Sequence, residues 1–249
     1  MSAAFKAERG ATRLPRRVRP ELLDELPAHD PRAVRSRRDL RLLNRIMAAR
    51  SLLLRALDHV LAAPPQQLVE LGTGDGSLLL AIARQRARRW PNVQAALLDL
   101  QPMVSADTLA AFAALGWRAE IVAADVLDWS ARAHASGSDA VAIANLFVHH
   151  FEGERLERLL AGIAERCCAF VCCEPRRGWL PLAGSHLVGL IGCNEITRHD
   201  AVLSVHAGFR GEELSTAWRR AVGARAAEWR LHESAAGAFS HVFAAVRAA

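Results

Sequence analysis

Residues 68–76 read Leu68-Val69-Glu70-Leu71-Gly72-Thr73-Gly74-Asp75-Gly76, and the apolar run Ser77 to Ala83 follows at once. This is the order of a buried strand that ends in a glycine-rich turn and opens a helix, the arrangement at the ligand edge of open α/β sheets. Glycines at 72, 74 and 76 let the backbone take positive φ and let a ligand approach with no Cβ in the way. The stretch predicts an α/β fold that holds a nucleotide-like cofactor.

Two departures from the dinucleotide pattern narrow the cofactor. The third glycine of G-x-G-x-x-G is replaced by Ser77, and Glu70 stands two residues before the first glycine, where its carboxylate would face a pyrophosphate. Like charges that close in a partly desolvated site cost several kcal/mol. S-adenosylmethionine (SAM) has no phosphate and carries an ammonium and a sulfonium, so an acid beside the turn suits it.

Three further strand ends fall in step. Val93 to Leu100 closes on Asp99, 23 residues after Gly76, which is the separation a helix and a return strand need before an acid reaches ribose hydroxyls. Ala119 to Val126 closes on Asp125, and Asp139 to Asn145 runs into Leu146-Phe147-Val148-His149-His150-Phe151.

With these motifs the chain resembles the class I SAM-dependent methyltransferases over roughly residues 36 to 249. The segment 197–214 is similar to the small-molecule branch acting on ubiquinone, menaquinone and aromatic polyketide precursors. The resemblance implies that Glu70, Gly72 and Gly74 contact the methionine end of SAM, Asp99 the ribose, and Asp125 with Val126 the adenine. It also implies that Leu100 packs on the adenine face and that the backbone near Asn145 receives the ammonium.

The alternation continues with helices near 76–89, 105–115, Trp129 and 153–165, strands at 93–99, 118–124, 139–145 and 168–174, a helix at 211–222, and two closing strands, Ala226 to Glu233 and Ala238 to Arg247. The expected architecture is a Rossmann-like seven-stranded, mostly parallel sheet with a C-terminal antiparallel hairpin and helices on both faces. Ahead of it, Leu40, Leu43, Met47, Leu53, Leu54, Leu57, Val60 and Leu61 have helical spacing from Ser36 to Ala63, with Ser36 and Asp39 resembling a capping box. Arg41 and Asn44 on this helix are within reach of a SAM carboxylate, though packing roles are the simpler reading. Residues 176–210 are longer than a connection needs, and their apolar side chains (Trp179, Leu180, Leu187, Leu190, Ile191) are expected to roof the crevice over an apolar acceptor.

Half of the residues are hydrophobic (51%) and 23% are charged, which fits a globular chain. No apolar run is long enough to span a membrane and no secretory signal is evident, so a cytoplasmic protein is expected. Residues 1–58 carry 14 Lys/Arg against 7 Asp/Glu, so the net charge of +6 lies ahead of the cofactor fold. Residues 1–35 read as a basic, partly disordered leader. Its interspersed acids and lack of stacking aromatics beyond Phe5 argue against nucleic acid. Cys167, Cys168, Cys172 and Cys173 lie on one strand and cannot converge on a metal, so no metal site is expected. Nothing in the sequence sets the oligomeric state.

Methyl transfer to a phenol needs alignment and is helped by a base. His149, His150 and His199 are the candidates, with His150 and His199 preferred, and an imidazole base would make the rate rise near pH 6 to 7. Glu174 is a further acid at the crevice. The reading is a SAM-dependent O-methyltransferase, with carbon the next acceptor, acting on a small hydroxylated aromatic or polyketide-derived molecule. Its rivals are a nucleic-acid methyltransferase using the basic arm, against which the lack of an Asn-Pro-Pro-aromatic signature after Asn145 counts, and a non-catalytic SAM-binding partner.

Overall fold

The computed structural model describes residues 14–27, 29–131 and 139–248. Its centre is a seven-stranded sheet in the order β3-β2-β1-β4-β5-β7-β6. The strands are β1 Gln67–Leu71, β2 Gln94–Asp99, β3 Arg118–Ala123, β4 Ala140–Asn145, β5 Ala169–Pro175, β6 Trp229–Ala236 and β7 Ser240–Arg247. The first five are parallel, and β7 runs antiparallel to both β5 and β6. Between β1 and β4 the chain reverses its direction of winding, and the crevice at the carboxyl ends of these two strands is where such sheets bind ligands.

Strands β1, β4 and β5 are apolar without alternation because helices cover both faces. One face packs Leu53, Leu57, Leu79, Ile82 and Phe112 from α3 (Ala49–Val60), α4 (Ser77–Arg86) and α5 (Ala106–Ala114). The other packs Trp129, Leu159, Ile163 and Trp218 from α6 (Val126–Ala131), α7 (Gly153–Arg166) and α10 (Glu213–Val222). Cys172 and Cys173 are fully buried members of β5 that point to opposite cores. β3 is an edge strand and stays largely exposed, with Arg118 and Glu120 among its residues.

Three expectations need correction. The single helix from Ser36 is two: α2 (Pro31–Ile46) and α3, broken where Ala48 takes φ +54°. Asp30 caps α2, accepting from Arg32 N at 2.8 Å, with Pro31 supplying the preset φ of a first helical turn. Ser36 and Asp39 form no capping box. Instead they are buried and tie α2 to α9 (Glu195–Ala207), Ser36 Oγ through Thr197 Oγ1 at 2.8 Å and Asp39 Oδ2 through the Asn194 N–H at 2.7 Å.

The second correction concerns the leader. From Leu14 onward it is packed on the fold, while residues 1–13 lie outside the described residues. Arg16 donates to the carbonyls of Ala207 (2.8 Å), His149 (3.2 Å) and Phe151 (2.9 Å), and stacks over the Phe209 ring at 4.3 Å. The Leu22 and Leu23 N–H groups, opening the short helix α1 (Leu22–Glu25), donate to the Asp200 carboxylate at 2.9 and 3.0 Å. The arginines that read as a basic arm are thus partly spent on internal carbonyls.

The third concerns residues 176–210, folded as α8 (Trp179–Leu187), a 3-10 turn at Val188–Ile191, and α9. The apolar side chains expected over the crevice face solvent, Leu180 at 62% and Leu190 at 83% exposure. Among residues of this insertion, only Ser204 lines the crevice. No helix among the described residues is long and apolar enough to cross a membrane.

Candidate functional site

The glycine turn after β1 is tied to the end of β2. The N–H groups of Gly72 and Thr73 both donate to Leu98 O, at 2.9 and 3.0 Å, and the Gly74 N–H donates to Asp99 Oδ2 at 2.8 Å. Gly72, Gly74 and Gly76 all have positive φ (+69°, +56° and +71°), which a side chain would oppose. A Cβ on Gly72 would stand 2.3 Å from Phe147 Cδ2, whereas one on Gly74 would meet nothing within 4 Å. The first glycine makes room for an aromatic ring and the second faces open space.

That space is a cleft of about 500 Å³ lined by the ends of β1, β2 and β4 and, on the far side, by α1 and α2. Glu70, Gly72, Gly74, Asp99, Leu100, Asp125, Val126 and Asn145 all line it, so the structure brings the sequence-predicted cofactor residues to one cavity. Glu70 is buried and accepts from Thr73 Oγ1 at 2.6 Å; burial lifts its carboxyl to about 8, against the opposing pull of that hydrogen bond. Asp99 also accepts from the Gln101 N–H at 2.9 Å, and Asp125 from the Leu127 N–H at 2.7 Å, fixing both carboxylates on the rim. Leu100 is 67% exposed, an apolar side chain held over the opening.

Asn145 Nδ2 donates to Asn44 Oδ1 at 2.9 Å, while Asn145 Oδ1 is buried and lacks a hydrogen-bond partner. A buried acceptor left empty is costly unless a ligand supplies the donor. Arg41, on the same side, pairs with Asp75 at 2.7 Å.

The three histidines have three different fates. His149 is buried between two carboxylates: its Nδ1 donates to Glu174 Oε2 at 2.8 Å and its Nε2 to Glu21 Oε1 at 3.3 Å. Burial opposes its charge, but the hydrogen bonds to Glu174 and Glu21 outweigh this and raise it to about 9. His150 lies on the cleft wall, where burial and the neighbouring charged His149 depress it to about 4. An imidazole titrating near pH 6 to 7 is therefore not found at either position. His199 is half-exposed beside Asp200 (3.1 Å) and lines a shallow hollow on α8 and α9 instead of the cleft, so its expected role as a base is corrected.

Glu174 is wholly buried at the end of β5 and does not line the cleft. It accepts from the N–H groups of Phe147, Val148 and His149 as well as from the His149 ring, and so orients the 3-10 turn Val148–His150.

Sequence reading missed Glu21 and Asp24, which α1 brings to the cleft. Ser204 Oγ donates to Glu21 Oε1, and Glu21 is partly buried; desolvation opposes its charge, but the hydrogen bond to His149 holds its carboxyl below the usual range. Asp24 Oδ2 lies 3.6 Å from His150 Nδ1; its side chain is 62% exposed, and partial desolvation at the cleft together with the nearby Glu21 raises its carboxyl to about 6. The available signal was a pair of acids three residues apart in a basic segment, Glu21 standing as the extended N-cap of the short helix that carries Asp24.

The plantazolicin methyltransferase BpumL, solved in complex with SAH, superposes on this chain with a TM-score of 0.59 at 13% identity, covering 88% of this chain and 92% of that one. The chain has the fold of the class I methyltransferases. The pyocyanin biosynthetic protein PhzM gives a TM-score of 0.56 at 18% identity, covering 92% of this chain and 62% of its own. A small RNA methyltransferase gives 0.52 at 15% identity, with 78% of this chain and 24% of that chain covered. No family model and no curated protein matches the sequence. The likeness to these neighbours is thus one of fold, with identities of 13–18%.

Proposed function

We propose that this chain transfers a methyl group from SAM to a small hydroxylated, aromatic or polyketide-derived acceptor, oxygen being favoured over carbon. The observation that carries the reading is the placement of Glu70, Asp99 and Asp125 around one glycine turn, with the empty Asn145 Oδ1 on the same cavity. A ligand with a cationic centre, a diol and an amino-bearing base matches that set of acceptors, and a pyrophosphate does not. Bound there, SAM supplies an electrophilic methyl group. Glu70 and Asn145 hold its amino-acid end, Asp99 accepts from the ribose hydroxyls, and Asp125 accepts from the adenine amino group while Leu100 covers the ring.

The acceptor belongs at the other end of the cleft, where Leu23, Leu26, Phe147 and Phe151 offer apolar contact beside Asp24 and His150. Displacement at a methyl carbon requires the acceptor atom in line with the sulfur–carbon bond, and the aromatic wall fixes a flat molecule in one plane. Asp24 and His150 form the polar edge at which a hydroxyl loses its proton. The carboxylates lining the cleft, and a leader already engaged with the fold, favour a small molecule over nucleic acid.

The test is calorimetry with SAM and with NAD, followed by detection of SAH on incubation with a panel of phenols and quinol precursors. Micromolar SAM binding with SAH release from at least one phenol is the expected result. NAD binding in place of SAM would overturn the reading, and SAM binding with no turnover on any acceptor would favour a cofactor-binding partner.

A further inference from the structure

The leader and the turn after β4 place three metal-ligand atoms together, one each from Glu21, His149 and His150, all within 4.8 Å of one another. Glu21 Oε1 and His149 Nε2 are 3.3 Å apart, long for a charge-assisted hydrogen bond. It is close to the roughly 3.4 Å edge of a tetrahedron whose bonds are about 2.1 Å. His149 is braced from behind, its Nδ1–H held by Glu174, which is the carboxylate–histidine arrangement that fixes the tautomer and ring orientation of a metal ligand. Two carboxylates, the partly buried Glu21 and the fully buried Glu174, share this single imidazole, so a doubly charged ion in place of the Nε2 proton leaves the cluster neutral. Glu21, His149 and His150 also line the cleft, which leaves a side of the cluster open to a bound molecule.

We propose that Glu21, His149 and His150 form a two-histidine, one-carboxylate site for a divalent first-row transition ion of the zinc class, with an open position facing the acceptor end of the cleft. Imidazole and carboxylate donors with a vacant position suit a catalytic ion rather than a structural one, which would be closed by a fourth side chain.

The inference rests on the methyl-transfer reading for what the ion does. An acceptor hydroxyl on the open position binds through oxygen and becomes more acidic. Its proton passes to Asp24, which stays outside the ligand set. The oxygen then forms the new O–CH3 bond as the sulfur–carbon bond breaks, and the electron pair of that bond remains on sulfur as SAH is released. Atoms and charge balance with no oxidant or reductant.

The experiment is a titration of the chelator-treated full chain with zinc chloride alone, and with cobalt chloride followed by its visible absorption. It is run on the wild type, Glu21→Gln, His150→Ala and, as a surface control, His232→Ala, whose ring lies 5.4 Å from that of His59. One equivalent should bind in the wild type and His232→Ala, weakening about 10-fold to 100-fold or more in the other two. Glu21 lies outside the sheet and its two cores, so Glu21→Gln keeps the fold even if His150→Ala does not, and thermal melting checks each. Absence of stoichiometric binding, or binding indifferent to Glu21→Gln, overturns the site. SAM affinity is measured on the same samples. Zinc bound without SAM would sink the methyl-transfer reading and keep the ion site, and SAM bound without zinc would do the reverse.

Discussion

Glu21 Oε1 lies 3.3 Å from His149 Nε2, across 128 residues of sequence, so a segment that precedes the sheet completes a cluster at the end of β4. The same segment lines one side of the cleft, and removing its anchor should be felt in both stability and function. Arg16→Ala breaks donations to three carbonyls. We expect a loss of about 1–3 kcal/mol in urea denaturation, together with reduced methyl transfer. Unchanged stability and rate would mean that the leader is dispensable.

Glu70 gives a pH dependence whose sign is fixed. Its carboxyl is raised from 4.5 to about 8, so the folded chain without ligand holds a proton that the unfolded chain loses. Its contribution to stability is fully present below 4.5 and falls away as the pH rises towards 8. Cationic SAM favours the ionised form, so SAM affinity should increase from pH 6 to pH 8. Glu70→Gln should flatten both the melting profile and the affinity profile. A SAM affinity independent of pH in the wild type would exclude the assignment.

Asp99→Ala should weaken SAM binding by about 2 to 4 kcal/mol, or 30-fold to 800-fold, through lost hydrogen bonds to the ribose. Asp99 also accepts from Gly74 and Gln101, so part of the loss comes from the turn itself. Asp99→Asn keeps an acceptor and should recover some of the affinity. Calorimetry showing wild-type affinity in a folded Asp99→Ala would remove the ribose role.

Gly72→Ala meets the Phe147 ring and requires a non-glycine residue at φ +69°. A destabilisation of about 2–4 kcal/mol is expected from clash and backbone strain combined. Adding Phe147→Ala should relieve the steric part and leave the backbone part, which a double-mutant cycle resolves. Strict additivity of the two substitutions would contradict the contact.

His150→Ala and His199→Ala separate the cleft from the surface. Loss of His150 should lower kcat/KM for an accepted phenol by about 10² or more with SAM affinity nearly unchanged. His199, outside the cleft, should cost less than about threefold. Equal losses at both positions would require a cleft different from the one described.

The sheet and the cofactor edge were legible because their signals are local. Leu68 to Gly76 carries strand, turn and helix start in one stretch, and Asp99, Asp125 and Asn145 each close an apolar run, so strand-end acids fall at one edge of any parallel sheet. Helices α4, α5, α7 and α10 and the closing hairpin followed from periodicity, with ends shifted by at most three residues, whereas the helix expected from Ser36 is two and starts five residues earlier. The site's acceptor half was not legible in this way. His149 and Glu174 were legible as strand-end candidates, but Glu21 and Asp24 come from a segment more than a hundred residues away, and no spacing rule links a leader to the end of a fourth strand. The same holds for Ser36 and Asp39, whose spacing imitates a cap but whose partners lie on α9.

By itself, then, the sequence determined what depends on neighbours along the chain: the order of the strands and of the helices between them, the glycine turn, and the acids that line the cleft at the strand ends. Only the tertiary structure decided which histidine is charged, which is neutral and which is outside the cleft, because proton affinity depends on burial and on charges brought close in space. It also decided that the basic leader packs along one side of the cleft while the apolar insertion turns outward. Composition records how polar a segment is, but the surface it packs against is set by where its carbonyl, carboxylate and ring partners stand in the fold.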